Sequence, residues 1–277
     1  MRTLVLLFCL LFFQLSSGAW LHSMEEAQRQ AISSNRFIVV DFWAIWCGPC
    51  KKMDVDAWSA PQVRELLDNK FVSVKINIDN ERQLAEQYNV KAIPFVLIID
   101  PNGKILTSVE GYRNASGLLK EIQKFAMSTH PITEDIAKFK ANFGFETASH
   151  LAQRYFDYAL SADESVRGSL LRVARDYITD AKKTIDKSGP SAPIQRERIN
   201  FLDISALAYS NQLEKVEKKL SKIEAQSVHE ANLNYYYFLS YLVARKNKSG
   251  VEAIEAKFPE LKDFDSFRAH TDLILKS

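Results

Sequence analysis

Residues 37–43, Phe-Ile-Val-Val-Asp-Phe-Trp, form a near-continuous apolar run rich in β-branched and aromatic side chains. A run of this kind predicts a strand buried on both faces. Its one charge is Asp41. A helix is predicted before it over 23–34, with Ser23 as N-cap, Glu26 at the capping-box position, and Ala27 and Ala31 on one face. A second helix is predicted to start at Cys47 and continue through Lys51 to Trp58. Pro61 suits a helical first turn with Ser59 or Ala60 near the cap, and opens a third helix to about Leu67. Residues 71–79 alternate as a strand does. Asn80 to Val90 reads as a helix with Leu84 and Tyr88 four apart. Two further strands lie in 91–100 and 103–111, and Pro101-Asn102-Gly103 between them is a hairpin turn signal. A helix over 114–128, with Leu118, Leu119, Ile122 and Phe125 on one face, closes this part. No separate strand is predicted before the opening helix.

The pattern changes after Pro131, which marks a plausible boundary. The remainder has no Cys, no Trp and almost no strand pattern. Helical periodicity recurs at roughly 147–160, 164–186, 194–210, 213–226 and 229–246, with shorter segments to the end. In the second of these, Val166, Leu170, Val173, Tyr177, Ile178, Ala181 and Ile185 hold the spacing of one buried face. The succession resembles stacked helical hairpins of the tetratricopeptide kind, although no clean 34-residue repeat is present. Tyr235, Tyr236, Tyr237 and Phe238 read as helix core and rim rather than a ligand site.

Length changes the picture little: 277 residues suit two domains of roughly 150 residues each. Basic and acidic residues balance in both halves, and the formal net charge is +2. Neither half has the basic excess of a nucleic-acid or anionic-membrane binder. The first 19 residues are a different matter. Arg2, an apolar run from Leu4 to Phe13 and the small residues Ser17-Gly18-Ala19 make a secretory signal peptide. The run is too short for a membrane span, which needs about 20 residues; an uncleaved anchor is the alternative. Cys9 lies inside this segment and would leave with it.

Cys47 and Cys50 are then the cysteines that matter, in Trp46-Cys47-Gly48-Pro49-Cys50-Lys51. A structural staple is one use for an exported pair. However, a chain of this size builds its own core, and closing so short a loop removes little chain entropy. A zinc site would need two more ligands, and the five His (22, 130, 150, 229 and 270) are scattered and form no motif. Disulfide exchange fits best. The thiolate is the nucleophile, and a helix N-terminus lowers the Cys47 pKa through its free N–H groups and dipole. Cys50, one turn on and expected to sit deeper, resolves the mixed disulfide. Gly48 permits the tight turn, and Pro49 fits a first turn that needs no N–H.

With its preceding strand, the later Lys75-Ile76-Asn77-Ile78-Asp79, and Ala92-Ile93-Pro94 before a hairpin, this stretch closely resembles the thioredoxin family over residues 20–130. The segment Asp56 to Leu67 is also similar to the thioredoxin-like domains of exported thiol-delivery proteins. The implied architecture is an α/β thioredoxin fold over 20–130 and an all-α helical-hairpin domain over 131–277, with 1–19 as signal peptide.

By resemblance, Asp41 matches the buried acid that takes and returns the proton of the second cysteine; a surface-facing side chain is the alternative. Lys75 matches the lysine beside that acid, or is a solvated strand lysine. Ile93-Pro94 matches the family's cis-proline, whose edge beside Cys47 lets an extended substrate add a strand. Trp46 would shield the cysteines and offer substrate an apolar contact, or serve packing alone. The implied activity is that of a thiol–disulfide oxidoreductase, with Gly48-Pro49 and Ile93 leaning toward reduction. A disulfide oxidase or isomerase is the alternative, as is a redox-linked adaptor or chaperone whose helical domain binds clients. No metal and no cofactor beyond the Cys47–Cys50 pair are implied. The expected partners are protein disulfides and a membrane thiol electron donor, in a periplasmic or otherwise extracytoplasmic setting.

Overall fold

The computed structural model describes residues 20–186, 188–257 and 264–276. The segment predicted as a signal peptide, residues 1–19 with Cys9, lies outside the described residues. The first part runs α1 (Met24–Ser34), β1 (Phe37–Trp43), α2 (Gly48–Met53), a π-helical segment (Asp54–Trp58), α3 (Pro61–Lys70), β2 (Phe71–Asn77), α4 (Arg82–Gln87), β3 (Phe95–Ile99), β4 (Ile105–Glu110) and α5 (Ala115–Ile122). This is the order of helices and strands that the hydrophobic pattern predicts. Local chemistry sets the ends. Ser23 Oγ accepts from the Glu26 N–H at 3.4 Å, and Asn35 closes α1 in the left-handed conformation. Pro61 occupies the first turn of α3, with Ala60 as its N-cap. At the β3–β4 turn Gly103 has φ +91°, and a Cβ there would stand 2.8 Å from the Tyr88 hydroxyl. Only glycine meets both demands.

The sheet order is β2-β1-β3-β4, with β1–β2 parallel and the other pairs antiparallel. Strand alternation splits the apolar run of β1 between two cores. Ile38, Val40 and Phe42 pack with Ala27, Ala31, Val72, Val74 and Ile76 on the α1/α4 side. Phe37 and Val39 pack with Met53, Trp58 and Val63 on the α2/α3 side. Asp41 therefore points toward the helix that carries the cysteines, and Lys75, its register partner on β2, shares that face. No strand precedes α1 among the described residues, as predicted, but one isolated bridge stands there. Leu21 bridges β2, with its N–H on the Ser73 carbonyl and its carbonyl on the Lys75 N–H, both at 2.9 Å. Only three described residues, Trp20 to His22, precede the α1 cap, too few for a pattern to show.

The second part is helical: α6 (His130–Ala141), α7 (Phe145–Ser161), α8 (Glu164–Lys183), α9 (Ala192–Ala208), α10 (Leu213–Leu220), α11 (Leu233–Asn247), α12 (Val251–Glu255) and α13 (Phe264–Lys276). Pro131 does not separate helix from linker; it sits in the first turn of α6. Successive helices pack on one another, and α13 returns onto α7 and α11. The apolar core is continuous from Val39, Val96 and Leu106 of the sheet through Tyr155, Leu170 and Phe201 to Leu239.

The helices grip one end of the sheet. Asp100, at the end of β3, accepts from the hydroxyls of Tyr155 and Tyr177 at 2.7 and 2.6 Å. Lys104 pairs with Asp180, Arg172 donates to the Leu106 carbonyl, and Thr129 N–H bonds the Asn35 carbonyl at 2.9 Å. These joints lie where β1 begins. The cysteines follow where β1 ends, roughly 20 Å away at about 3.3 Å per residue.

Among the described residues no helix is long and apolar enough to cross a membrane, and no group of three or more His, Cys, Asp or Glu could hold a metal ion.

Candidate active site

The chain turns at the end of β1 through Ala44-Ile45-Trp46 into α2. Cys47 is the N-cap of α2, with extended backbone, and its Sγ accepts from the Cys50 N–H at 3.1 Å. Pro49 occupies the first turn, where its missing N–H costs nothing. Cys47 and Cys50 form a disulfide. They are 3% and 4% exposed, so Cys50 is not the deeper of the two. Both cysteines share one apolar cluster with Ala44, against which Trp43, Ile78 and Ile93 pack. Trp46 is not in that cluster; it is 64% exposed, and its indole N–H bonds Asp79 Oδ2 at 3.0 Å. With Ile45 beside it, also largely exposed, it makes an apolar rim. The Ile93–Pro94 peptide is cis, and the Pro94 carbonyl accepts from the Gly111 N–H at 2.8 Å, which ties this loop to the end of β4.

Asp41 is 2% exposed. Burial is the main cause that pushes its carboxyl from 3.8 up to about 6. Lys75 opposes this, Asp54 adds to it by like charge, and Trp58 opposes it. Lys75 Nζ lies 3.4 Å from Asp41 Oδ2 and makes its closer ion pair with Asp54. The sequence reading missed Asp54. Its signal was available: Asp54 follows Cys50 by four residues, which places the two on one helical face. Asp79, which fixes Trp46, was missed as well and carries no local signal.

The raised Asp41 pKa has a stability consequence. A carboxyl held above its unfolded value stabilises the fold fully below about pH 4, and that contribution is lost as pH rises through about 6. At 1.36 kcal/mol per unit, ionised Asp41 costs roughly 3 kcal/mol at neutral pH. Asp41→Asn is therefore expected to be more stable than wild type by roughly that amount at pH 8, with the gain gone at pH 4. Urea unfolding of the oxidised proteins at both pH values measures it.

The thioredoxin family model matches residues 20–124. A thioredoxin from Chlorobaculum thiosulfatiphilum is 32% identical over 100 residues, covering 35% of this chain and 86% of that protein. The chain belongs to the thioredoxin family. Within it, a thioredoxin from Griffithsia pacifica is 35% identical over 100 residues, 36% of this chain and 88% of its own length. A protein disulfide-isomerase from Ricinus communis is 35% identical over 95 residues, which are 34% of this chain and 19% of that larger protein. A solved thioredoxin from Thermus thermophilus shares 25% identity, covering 41% of this chain and 90% of the other, with a TM-score of 0.37. These relatives identify this thioredoxin-family chain as a thiol–disulfide oxidoreductase. The family model ends at residue 124, before α6.

Proposed function

We propose that this protein is exported and reduces disulfide bonds in protein substrates. The observation that carries the reading is Cys47 at the N-cap of α2, facing a backbone N–H and next to the cis Ile93–Pro94 edge. In the reduced protein the Cys47 thiolate attacks one sulfur of a substrate disulfide. A mixed disulfide forms and one substrate thiolate leaves. Asp41 takes the proton of Cys50, whose sulfur then attacks Cys47 Sγ; the Cys47–Cys50 bond closes and the second substrate thiolate departs. Two electrons pass from the dithiol to the substrate. A group with a pKa near 6 is well placed for this proton transfer at neutral pH. Lys75 lies beside it as its counter-charge. The rim of Ile45, Trp46 and Ile93 gives an incoming polypeptide an apolar contact, and the Pro94 edge offers backbone pairing. A membrane thiol carrier then restores the dithiol outside the cytoplasm.

The test is insulin reduction by dithiothreitol. Precipitation is expected well ahead of dithiothreitol alone; no rate above that background overturns the reductase reading. A second reading, oxidation or isomerisation, draws on the similarity to the disulfide-isomerase of Ricinus communis. Equilibration with glutathione separates the two, since an easily reduced pair would favour the second.

A further inference from the structure

Lys75 sits between two carboxylates of unequal exposure. Asp41 is buried on β1, and Asp54 is 41% exposed at the start of the π-helical segment. The Lys75 side chain is 14% exposed. It makes its closer pair with Asp54 and stands 3.4 Å from Asp41 Oδ2. Asp41 Oδ1 is buried and has no hydrogen-bond partner among the described residues. Beyond the pair a cavity of about 350 Å³, lined by Trp20, Asp54, Trp58 and Lys75, opens toward solvent. The indole rings of Trp20 and Trp43 lie 5.2 and 5.9 Å from Lys75 Nζ and restrict its other directions.

We propose that Asp54 is a positioning residue of the exchange reaction: it draws Lys75 partly away from Asp41 and holds it in a bridge between the buried carboxyl and the cavity. This deepens the reading of Asp41 as the proton carrier for Cys50 and rests on it. With Asp54 in place, Lys75 only partly compensates Asp41, and the buried acid stays able to bind a proton near neutral pH. Without it, Asp41 is the one carboxylate paired with the ammonium among the described residues. Lys75 would close on Asp41 Oδ2, and Asp41 would become a fixed carboxylate, a poor carrier. Loss of Asp54's own charge acts in the same direction.

The other charged groups nearby are accounted for. Arg64 and Asp68 of α3 line the outer wall of the cavity. His22 and Glu81 line a second cavity, about 240 Å³, that Lys75 also reaches. On β3 the register partner of Asp41 is Val96, uncharged. In the oxidised protein neither cysteine titrates.

The test is the pH titration of the Asp41 side-chain carboxyl by ¹³C NMR in the oxidised full-length protein, where no turnover is needed. In Asp54→Asn the midpoint is expected to fall by about one unit. In Asp54→Glu it stays near wild type, and in Lys75→Met it rises. The Asp54→Asn shift is expected to shrink in the Lys75→Met background, because positioning acts through Lys75. Asp54→Ser, at the same half-exposed position, repeats the measurement. An unchanged midpoint in Asp54→Asn and Asp54→Ser overturns the proposal. So does a shift of equal size with and without Lys75, which would mean that Asp54 acts by its own charge alone. Neither result depends on insulin reduction, so a failure here is separate from a failure of the reductase reading.

Discussion

With Cys47 replaced by Ser, insulin reduction is expected to fall to the rate of dithiothreitol alone, while Cys50→Ala reacts once and stops as a mixed disulfide. The asymmetry follows from the two positions in α2. Serine is a good N-cap, so Cys47→Ser keeps the bond to the Cys50 N–H and the start of the helix. What it loses is the thiol, whose thiolate is the nucleophile of disulfide exchange. Cys50→Ala leaves that nucleophile in place and removes the resolving thiol. External dithiothreitol at millimolar concentration replaces it poorly, because a thiol held one turn away reacts at a far higher effective molarity. Non-reducing gels of cell extracts carrying Cys50→Ala should show covalent partners that dissolve on reduction. Equal turnover by Cys47→Ser and wild type would remove Cys47 from the reaction.

The second large effect lies at the other end of the sheet. Tyr155→Phe with Tyr177→Phe is expected to destabilise the fold by about 3–5 kcal/mol at neutral pH, with either change alone costing about 1.5–3 kcal/mol. Asp100 is fully buried and receives four bonds: the two tyrosine hydroxyls, and the N–H groups of Asn102 and Lys104 at 2.9 and 2.8 Å. Both hydroxyls act on Oδ2, and both backbone donors on Oδ1. The double variant leaves a buried oxygen with neither hydroxyl. The stacked rings, with centroids 5.3 Å apart, keep their packing, so the change is in hydrogen bonding alone.

Burial already raises the Asp100 pKa, and the hydroxyls partly offset it. Their loss raises it further. The deficit is therefore expected to grow as pH rises and to shrink toward acid, where the protonated side chain needs fewer donors. Denaturant midpoints at pH 5 and pH 8 measure this. Insulin reduction well below the melting temperature should be unchanged, since the cysteines lie at the opposite end of β1.

The parts of the molecule legible in the sequence are those whose cause is local. The run at 37–43 declares a buried strand because every residue but one is apolar. Pro101-Asn102-Gly103 declares a turn because Gly103 alone suits its backbone. Cys47 and Cys50 declare their chemistry because a four-residue stretch contains the nucleophile, the turn and the helix start. Two misses have different causes. Helix α6 was hidden because Pro131 serves equally as a linker residue and as a helical first-turn residue; Ile132, Ile136 and Phe139 carried the periodicity that would have decided it. The π-helical segment from Asp54 to Trp58 has no local marker: the spacing sets Asp54 on the face of Cys50, but only the tertiary fold brings it to Lys75 on β2. The Asp100 cluster was illegible for the same reason: its two tyrosines lie 55 and 77 positions from Asp100 and meet it only once the helices close on the sheet.

That closure at the start of β1 decides what can reach the disulfide. The helices meet the sheet a strand's length away from Cys47, so among the described residues the approach over Ile45, Trp46 and Ile93 is not roofed by the second half. Substrate size is then limited by the substrate's own shape around its disulfide. A bulky folded protein with one protruding disulfide then has room to present it, as an extended peptide does.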